Sequence, residues 1–277
     1  MRRVGLVVVA GLSACAGVEP LPAPAAAAVA TAAPQLGELG VVPGEAMAFE
    51  LRLAGILAGE AQLAVGALGD YEGHRAVVVR SRAATAGAAA IVRHSVDEAT
   101  TVIDVATGRP LALDTLVEQG SQRTTASARF TDTGASITYR KDGEPAPRTL
   151  TIPFGAIPVH DAHTAMAHLR GWRPAPGTTR TVFLVGGRRL WRVDLTFAGE
   201  ETIGSALGNR KAVRFTGTSF RANRQLAIET DKPTRRFSVW LSDDADRVPL
   251  RVTASTELGD VVIDLTEYTR EPAARGE

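Results

Sequence analysis

The chain has 277 residues, of which 45% are hydrophobic, 22% are charged and only 5% are aromatic, and its formal net charge is +1. This length supplies enough apolar material for one or two packed domains. Because a nearly neutral chain lacks the basic surface that binds nucleic acid, we expect no nucleic-acid partner. The single cysteine excludes an internal disulfide and a cysteine metal cluster.

The N-terminus has the pattern of a bacterial lipoprotein signal peptide. Two arginines precede an uninterrupted apolar run over residues 4–12, which is too short to cross a bilayer but fits a secretory signal. The run leads into Leu-Ser-Ala-Cys at residues 12–15, which resembles the lipobox of bacterial lipoproteins. We therefore expect a signal peptide over residues 1–14 and an acyl anchor, palmitate included, on Cys15. An ordinary secretory cleavage site with an incidental cysteine is the alternative.

The residues after the cysteine indicate where the anchor lies and how the domain is attached. Ala16 takes the place of the aspartate that retains enteric lipoproteins in the inner membrane, which favours the outer membrane and a periplasmic domain. Residues 15–43 are rich in alanine and proline and show no amphipathic period, which predicts a lipid-anchored tether. At the other end of the chain, residues 271–277 are expected to form a disordered tail.

From residue 44 onwards the dominant period is two, as in strands with one buried and one exposed face. The clearest alternating stretches are residues 191–197, 237–242, 248–255 and 261–266. This pattern predicts a mainly β fold of about a dozen strands in a single domain over residues 44–270. The sheet is expected to be a curved antiparallel sheet or an open, barrel-like β-sandwich.

One segment, residues 161–171, breaks the strand pattern and predicts a central α-helix. Asp161 is a suitable N-cap, and Gly171 followed by Pro174 ends the helical pattern. The apolar residues at helical spacing are Ala162, Ala165, Met166, Leu169 and Trp172. This stripe predicts the helix face that packs against the sheet.

The two halves of the chain resemble each other. An Ala-Gly-Glu triplet occurs at residues 58–60 and again at 198–200, and a Pro-Leu pair occurs at 110–111 and at 249–250. The preserved spacing predicts two pseudo-repeated halves that flank the helix, with both prolines at strand starts. Because such short motifs are common in antiparallel proteins, a chance match is the alternative.

The order of these features resembles the bacterial domain-of-unknown-function 3108 family over roughly Gly44 to Arg270. The matching pieces are Gly-Glu at 44–45, Ala-Gly at 58–59, the helix, Pro-Gly at 176–177, Gly-Glu at 199–200, Phe-Ser-Val-Trp-Leu-Ser-Asp-Asp at 237–244, Arg-Val-Pro at 247–249 and Asp-Leu-Thr-Glu-Tyr at 264–268. The most specific piece is the Trp-Leu-Ser-Asp-Asp stretch with its Arg-Val-Pro. The resemblance implies a β-rich, envelope-associated protein and implies no catalytic residues.

Three histidines, His160, His163 and His168, together with Asp161, are the candidate metal ligands. No single face of a helix collects three of them, whereas zinc needs three or four convergent ligands. We therefore expect an N-cap and surface histidines, with no metal and no cofactor. The Asp-Asp-Ala-Asp run at 243–246 lacks the spacing of a calcium loop and predicts a hairpin turn.

The sequence contains no nucleophile elbow and no nucleotide-binding loop, so we expect no catalytic residues and a non-enzymatic protein. Trp172, Trp191 and Trp240 are candidate binding residues, although tryptophans more often pack in a core. The expected function is a periplasmic lipoprotein that binds an apolar or envelope-derived partner: a lipid, a glycan or a protein. A structural or assembly lipoprotein is the alternative, and an uncharacterised hydrolase is less favoured. An open apolar cavity would favour a carrier, and a filled one would favour a scaffold.

Replacing Cys15 by alanine should abolish incorporation of labelled palmitate and release the protein from the membrane fraction, because the acyl chains supply the anchor. Metabolic labelling followed by membrane fractionation checks both effects. An unlabelled wild type, together with a Cys15→Ala chain that stays on the membrane, would contradict the prediction.

Overall fold

A computed structural model describes residues 39–92, 94–256 and 259–270. Within these ranges the chain forms fifteen β-strands and two α-helices. The strands are β1 Glu45–Leu53, β2 Ile56–Tyr71, β3 His74–Thr85, β4 Ser95–Asp104, β5 Pro110–Gln119, β6 Gln122–Phe130, β7 Gly134–Lys141, β8 Arg148–Pro153, β9 Val159–His160, β10 Thr179–Gly186, β11 Arg189–Ser205, β12 Gly208–Ala222, β13 Arg235–Ser242, β14 Pro249–Thr256 and β15 Gly259–Arg270. The helices are α1 Gly87–Val92 and α2 Ala162–Gly171. In these ranges neither helix has the length and apolarity needed to cross a bilayer.

All the described strands belong to one sheet, in the order β8-β7-β6-β5-β4-β3-β2-β1-β15-β14-β13-β12-β11-β10-β9. Neighbouring strands are antiparallel except for the short parallel pair β9–β10. Strand β1 pairs with both β2 and β15, so the first and last strands lie side by side in the middle of the sheet. The predicted mainly β fold, with an antiparallel sheet and one central helix, is confirmed.

The sheet rolls until its two ends meet. Ile137 of β7 and Ile152 of β8 pack in one cluster with Val185 of β10 and Leu190 of β11, although these strands lie near opposite ends of the sheet. On the other face of β11, Val193 belongs to a separate cluster that includes side chains of α2. Strand β11 is therefore covered on both faces, which places this end of the sheet inside the curve of β5–β8.

Helix α2 lies on the concave side of the rolled sheet and contacts both halves. Ala167 packs with Val77 and Ile103 of the first half. Leu169 packs with Phe215 and other apolar side chains of β11–β13 in the second half. The helix therefore occupies the space that the curve of the sheet encloses.

The predicted helix and its N-cap are confirmed, but the predicted buried face is only partly right. Asp161 accepts a hydrogen bond from the Thr164 amide, and the Thr164 hydroxyl bonds back to the Asp161 amide, which completes a capping box. Ala162 of the predicted stripe is exposed, whereas His163, Thr164 and Arg170 are buried. Because the sheet surrounds the helix, its polar side is enclosed as well.

Arg170 of α2 and Glu45 of β1 form a buried, two-pronged ion pair. The two guanidinium nitrogens lie 2.7 and 2.6 Å from the two carboxylate oxygens, and the side chains are 5% and 0% exposed. The same guanidinium donates to the backbone carbonyl of Asp246 at 3.2 and 2.8 Å. This pair joins the end of α2 to the central strand and to the β13–β14 turn.

The folded domain begins earlier than the predicted boundary at residue 44. Leu39 is 0% exposed and Val41 is 6% exposed. Gly40 lies between them at φ +55°, and a Cβ at this position would collide with Arg170. Residues 39–43 therefore belong to the core and not to the tether, because apolar side chains at alternate positions pack beneath α2.

The predicted resemblance between the two halves of the chain is also seen in the pairing of their strands. Pro110 and Pro249 begin β5 and β14, as expected, and they pair with the buried Ile103 and Leu241. In both pairings the register shifts by one residue immediately after the proline. The same bulge at the same place in each half supports pseudo-repeated halves.

Replacing Arg170 by methionine should destabilise the fold by about 3–5 kcal/mol, because it leaves the Glu45 charge buried without a partner. The double variant Arg170→Met/Glu45→Leu should recover most of that loss, since no charge then remains to be buried. Urea unfolding followed by circular dichroism measures both effects.

The matched control is Arg129→Met, which breaks an ion pair with Asp114 in which both side chains are 50% exposed. This change should cost less than about 1 kcal/mol. If Arg170→Met cost no more than the control, the buried pair would not have the role assigned to it.

Candidate functional site

Several of the predicted features lie outside the described residues. These are Cys15, the signal peptide at 1–14, most of the tether and the tail at 271–277. Lipidation of Cys15 therefore stays a prediction. The remaining candidates can be placed in the fold.

The three tryptophans lie in three different surroundings. Trp172 caps the end of α2 and stacks on Phe215 at 5.6 Å between ring centroids. Trp191 is 6% exposed, and Trp240 donates its indole N–H to Glu201 at 2.6 Å. The guanidinium groups over the three rings belong to Arg180, Arg221 and Arg214, respectively. Because no ring contact joins the three, they do not form one stacking platform, and their binding role stays a prediction.

His160 and His163 are buried and His168 is partly buried, so the expectation of surface histidines is wrong for the first two. His160 is 6% exposed and His163 is 7% exposed. The His160 ring contacts the His168 ring at 4.7 Å between centroids, and His168 Nε2 lies 3.1 Å from the Gly108 carbonyl, to which it donates. Burial, with smaller contributions from His168 and two nearby arginines, lowers the pKa of His160 to about 3. Among the described residues no group of three potential ligands could hold a metal ion.

The contacts of the histidines differ from those that a continuous helix over residues 160–168 would give. His160 ends β9 and Asp161 is the extended N-cap, so neither follows the rotation of the helix. As a result His160 meets His168, whereas Asp161 lies beside His163, with 3.7 Å between Asp161 Oδ2 and His163 Nδ1.

Four polar side chains, Ser81, Thr101, Asp161 and His163, form what we call the interior relay. The Thr101 hydroxyl bonds to the Asp161 carboxylate and lies 2.7 Å from His163 Nδ1, while His163 Nε2 lies 2.8 Å from Ser81 Oγ. A carboxylate only accepts hydrogen bonds, so Thr101 donates to Asp161 and must accept from Nδ1–H of His163. Nε2 is then an acceptor, and the Ser81 hydroxyl donates to it.

In the interior relay a serine donates to a histidine, as in a serine hydrolase, but the surroundings of the serine differ from those in such an enzyme. In such enzymes the serine is presented to substrate beside preorganised oxyanion donors. Here Ser81 is 7% exposed, Asp161 1% and Thr101 0%. The relay therefore ties α2 to β3 and β4, and its hydroxyls serve as hydrogen-bond partners of a buried histidine.

Asp97 lies on the same inner face of β4 as Thr101, and its carboxyl group is buried without the hydrogen bonds that Asp161 has. It is 3% exposed, and neither of its carboxylate oxygens has a hydrogen-bond partner. Burial raises the pKa of Asp97 to about 7. A carboxyl group that keeps its proton to near neutrality avoids the cost of a buried charge.

An open depression of about 540 Å³ lies on the sheet surface of β11–β15. Its lining, which we call the hydroxyl face, consists of Asp194, Thr196, Thr216, Gly217, Thr218, Arg236, Phe237, Ser238, Thr253, Ala254, Ser255, Asp260 and Val262. Thr196, Thr216, Ser238 and Thr253 are cross-strand neighbours in one row. Along each strand these residues alternate with side chains that pack on α2, so the row points away from the helix.

The hydroxyl face presents hydrogen-bonding side chains of serine, threonine and aspartate. Asp194 accepts from Thr181 Oγ1 at 2.7 Å, and Asp260 accepts from Ser255 Oγ at 2.9 Å. Phe237 lines the depression at the level of the strand, but its ring packs over Gly217 and joins the apolar cluster under α2 on the opposite face. An accessible surface with many neutral donors and acceptors suits a polyhydroxylated ligand.

Sequence reasoning did not find the hydroxyl face or the interior relay. Single threonines and serines on the polar side of a strand look like ordinary solvent-facing residues. Their significance arises only when sheet register aligns them across strands, as Thr216 aligns with Ser238, or when a helix covers them, as α2 covers Thr101.

An active-site-directed fluorophosphonate should leave Ser81 unlabelled, because its hydroxyl is enclosed and lacks a surrounding site for the reagent. Mass spectrometry of the treated protein, with a known serine hydrolase as a positive control, checks this expectation. Modification of Ser81 that disappears in His163→Gln would contradict the structural role and would restore the hydrolase alternative.

Comparison with solved structures supports the fold. The β-barrel-like protein of domain of unknown function DUF1849 from Brucella abortus is 13% identical, with 83% of this chain and 98% of that chain covered at a TM-score of 0.56. The hypothetical lipoprotein YmcC from Escherichia coli K12 is 12% identical, with 83% and 88% covered at a TM-score of 0.29. At this level of identity the first similarity shows a shared fold and nothing more.

Among proteins with curated descriptions, none matches this chain. The family model described as "Protein of unknown function (DUF3108)" matches residues 48–266, which is most of the described domain. The matched span includes the helix and the Trp-Leu-Ser-Asp-Asp stretch on which the sequence resemblance rested. The chain therefore belongs to the DUF3108 family.

Proposed function

We propose that the chain is a lipid-anchored protein of the cell envelope that binds a glycan on the hydroxyl face and does no chemistry on it. The observation that carries this proposal is the open depression of about 540 Å³ lined by hydroxyl side chains. The anchor is the acyl group predicted on Cys15, and Ala16 favours the outer membrane with the domain in the periplasm.

The position of α2 argues against the apolar carrier expected from the sequence. A carrier of that kind needs an open apolar cavity on the concave side of the sheet. In the described part of the chain α2 lies there, with Ala167 3% exposed and Leu169 7% exposed. Arg170 also brings a charged pair into that space, which an apolar ligand would not solvate. A ligand is therefore better placed on the outer surface.

The chemistry of the hydroxyl face favours a glycan over a lipid. A serine or threonine hydroxyl donates one hydrogen bond and accepts two, so it adapts to sugar hydroxyls of either polarity. The row through Thr216 and Ser238 repeats at the strand spacing of about 4.8 Å, which offers successive contacts to an extended chain.

A β-1,4-linked N-acetylglucosamine tetramer is a suitable probe, because it is soluble, uncharged and chemically close to envelope glycans. The double variant Thr216→Val/Thr218→Val should weaken its binding by about tenfold or more, since each lost hydrogen bond is worth about 1 kcal/mol. Isothermal titration calorimetry measures the change, and the valines preserve the shape of the strands.

The matched control is Thr138→Val/Thr149→Val, which removes two exposed hydroxyls that bond each other at 3.1 Å on β7 and β8. Binding by this control should equal that of the wild type. If the tetramer does not bind, or if both double variants lose binding equally, the glycan proposal fails. The assembly lipoprotein then becomes the better account, because it needs a rigid domain but no ligand.

A further inference from the structure

One end of the sheet carries large apolar side chains with nothing packed on them. Ile91 is 90% exposed, Val92 is 88% exposed and Ile56 is 68% exposed. Ile91 and Val92 end α1, and Ile56 begins β2 directly after the β1–β2 turn. We call residues 54–57 together with α1 the apolar tip. Single exposed hydrophobic residues are ordinary, but a group at one place indicates a contact surface.

The topology brings the two parts of the apolar tip to the same end of the sheet. Strands β1 and β3 are both antiparallel to β2, so the connections that follow them emerge at the same end. The Ala86 amide donates to the Ala58 carbonyl at 3.1 Å, which joins the start of α1 to β2. Ala54 and Gly55 have φ values of 48° and 83°, as in a tight hairpin turn that projects Ile56.

The charges near the apolar tip indicate which kind of partner it would contact. Residues 53–59 and 83–96 contain no aspartate or glutamate, and the adjacent Asp260 accepts from the Ala54 amide through its backbone carbonyl and from Ser255 through its side chain. The first residue after α1 in the sequence is Arg93, so the apolar run is followed by a cationic residue. Apolar side chains followed by a cationic one match the acyl boundary and the anionic headgroups of a phospholipid bilayer.

The tether predicted from the sequence gives the apolar tip access to a bilayer. Position 15 lies 24 residues before Leu39, a reach of up to about 80 Å. The nine residues of β1, about 30 Å long, separate the point where the chain joins the sheet from the apolar tip. The tether is therefore long enough for the tip to turn back to the membrane that holds the anchor.

We propose that the apolar tip is a second membrane contact, which inserts Ile56, Ile91 and Val92 at the headgroup–acyl boundary of a phospholipid bilayer. This inference rests on the proposed function to the extent that the lipid on Cys15 keeps the domain near a membrane. Insertion of the tip would fix the orientation of the domain relative to the membrane.

Vesicles of phosphatidylethanolamine and phosphatidylglycerol test the proposal with the mature chain from residue 16 onwards, which lacks Cys15 and the apolar run at 4–12, so that neither an acyl anchor nor the signal peptide contributes. At a large excess of lipid, a fraction of this protein should float with the vesicles in a density gradient. Three exposed side chains bind weakly and reversibly, so this contact would not hold the protein on a washed membrane fraction. Adding Ile91→Ser/Val92→Ser should lower the partition coefficient by at least about tenfold, because it removes the inserted apolar surface. Both side chains are exposed, so circular dichroism should show an unchanged fold.

The matched control is Leu68→Ser, which removes an apolar side chain that is 36% exposed outside the tip. Its partition coefficient should equal that of the protein without this substitution. The proposal fails if the protein with an unchanged tip does not float, or if the Ile91→Ser/Val92→Ser variant binds the vesicles equally well. The apolar tip would then be better explained as a contact surface for another protein. Acyl labelling of Cys15 and binding of the glucosamine tetramer are separate readouts, so either can fail without changing the flotation result.

Discussion

The structure depends on one buried interaction, the ion pair between Arg170 of α2 and Glu45 of β1. Two oppositely charged groups leave water at a high desolvation cost, and only close geometry and further hydrogen bonds offset that cost. Here both carboxylate oxygens are engaged, and the guanidinium also bonds to the Asp246 carbonyl. Since β1 joins the two halves of the sheet, the pair fixes α2 to the place where both halves meet.

With α2 fixed in this way, the interior becomes a packed polar and apolar core. His163 bonds to Ser81 and Thr101 on the first half, and Leu169 packs on the second. On the outer side of β11–β15, the hydroxyl face keeps a row of hydrogen-bonding side chains beside an open depression. Because the concave side is filled, the recognition that we propose uses the outer surface and the apolar tip.

Much of the fold could be predicted because strand and helix periods are local properties of the chain. The alternation at 191–197 and the Asp161 N-cap need no knowledge of distant residues. The burial of His160 and His163 was missed, because it follows from a sheet that closes around a helix. The early start of the domain was missed for the same reason: Leu39 looks like part of an alanine-rich tether until α2 covers it. The hydroxyl face had no local signal, since register alone creates it.

The central claim is that α2 is a permanent part of the core and not a lid over a cavity. Native-state hydrogen exchange of the α2 amides, from His163 to Arg170, tests it most directly. The account predicts that these amides open with the same free energy as those of β4 and β11, because the helix leaves only when the domain unfolds. Much faster exchange in α2 than in these strands, with a correspondingly smaller opening free energy, would show that the helix can leave the sheet and would contradict the account.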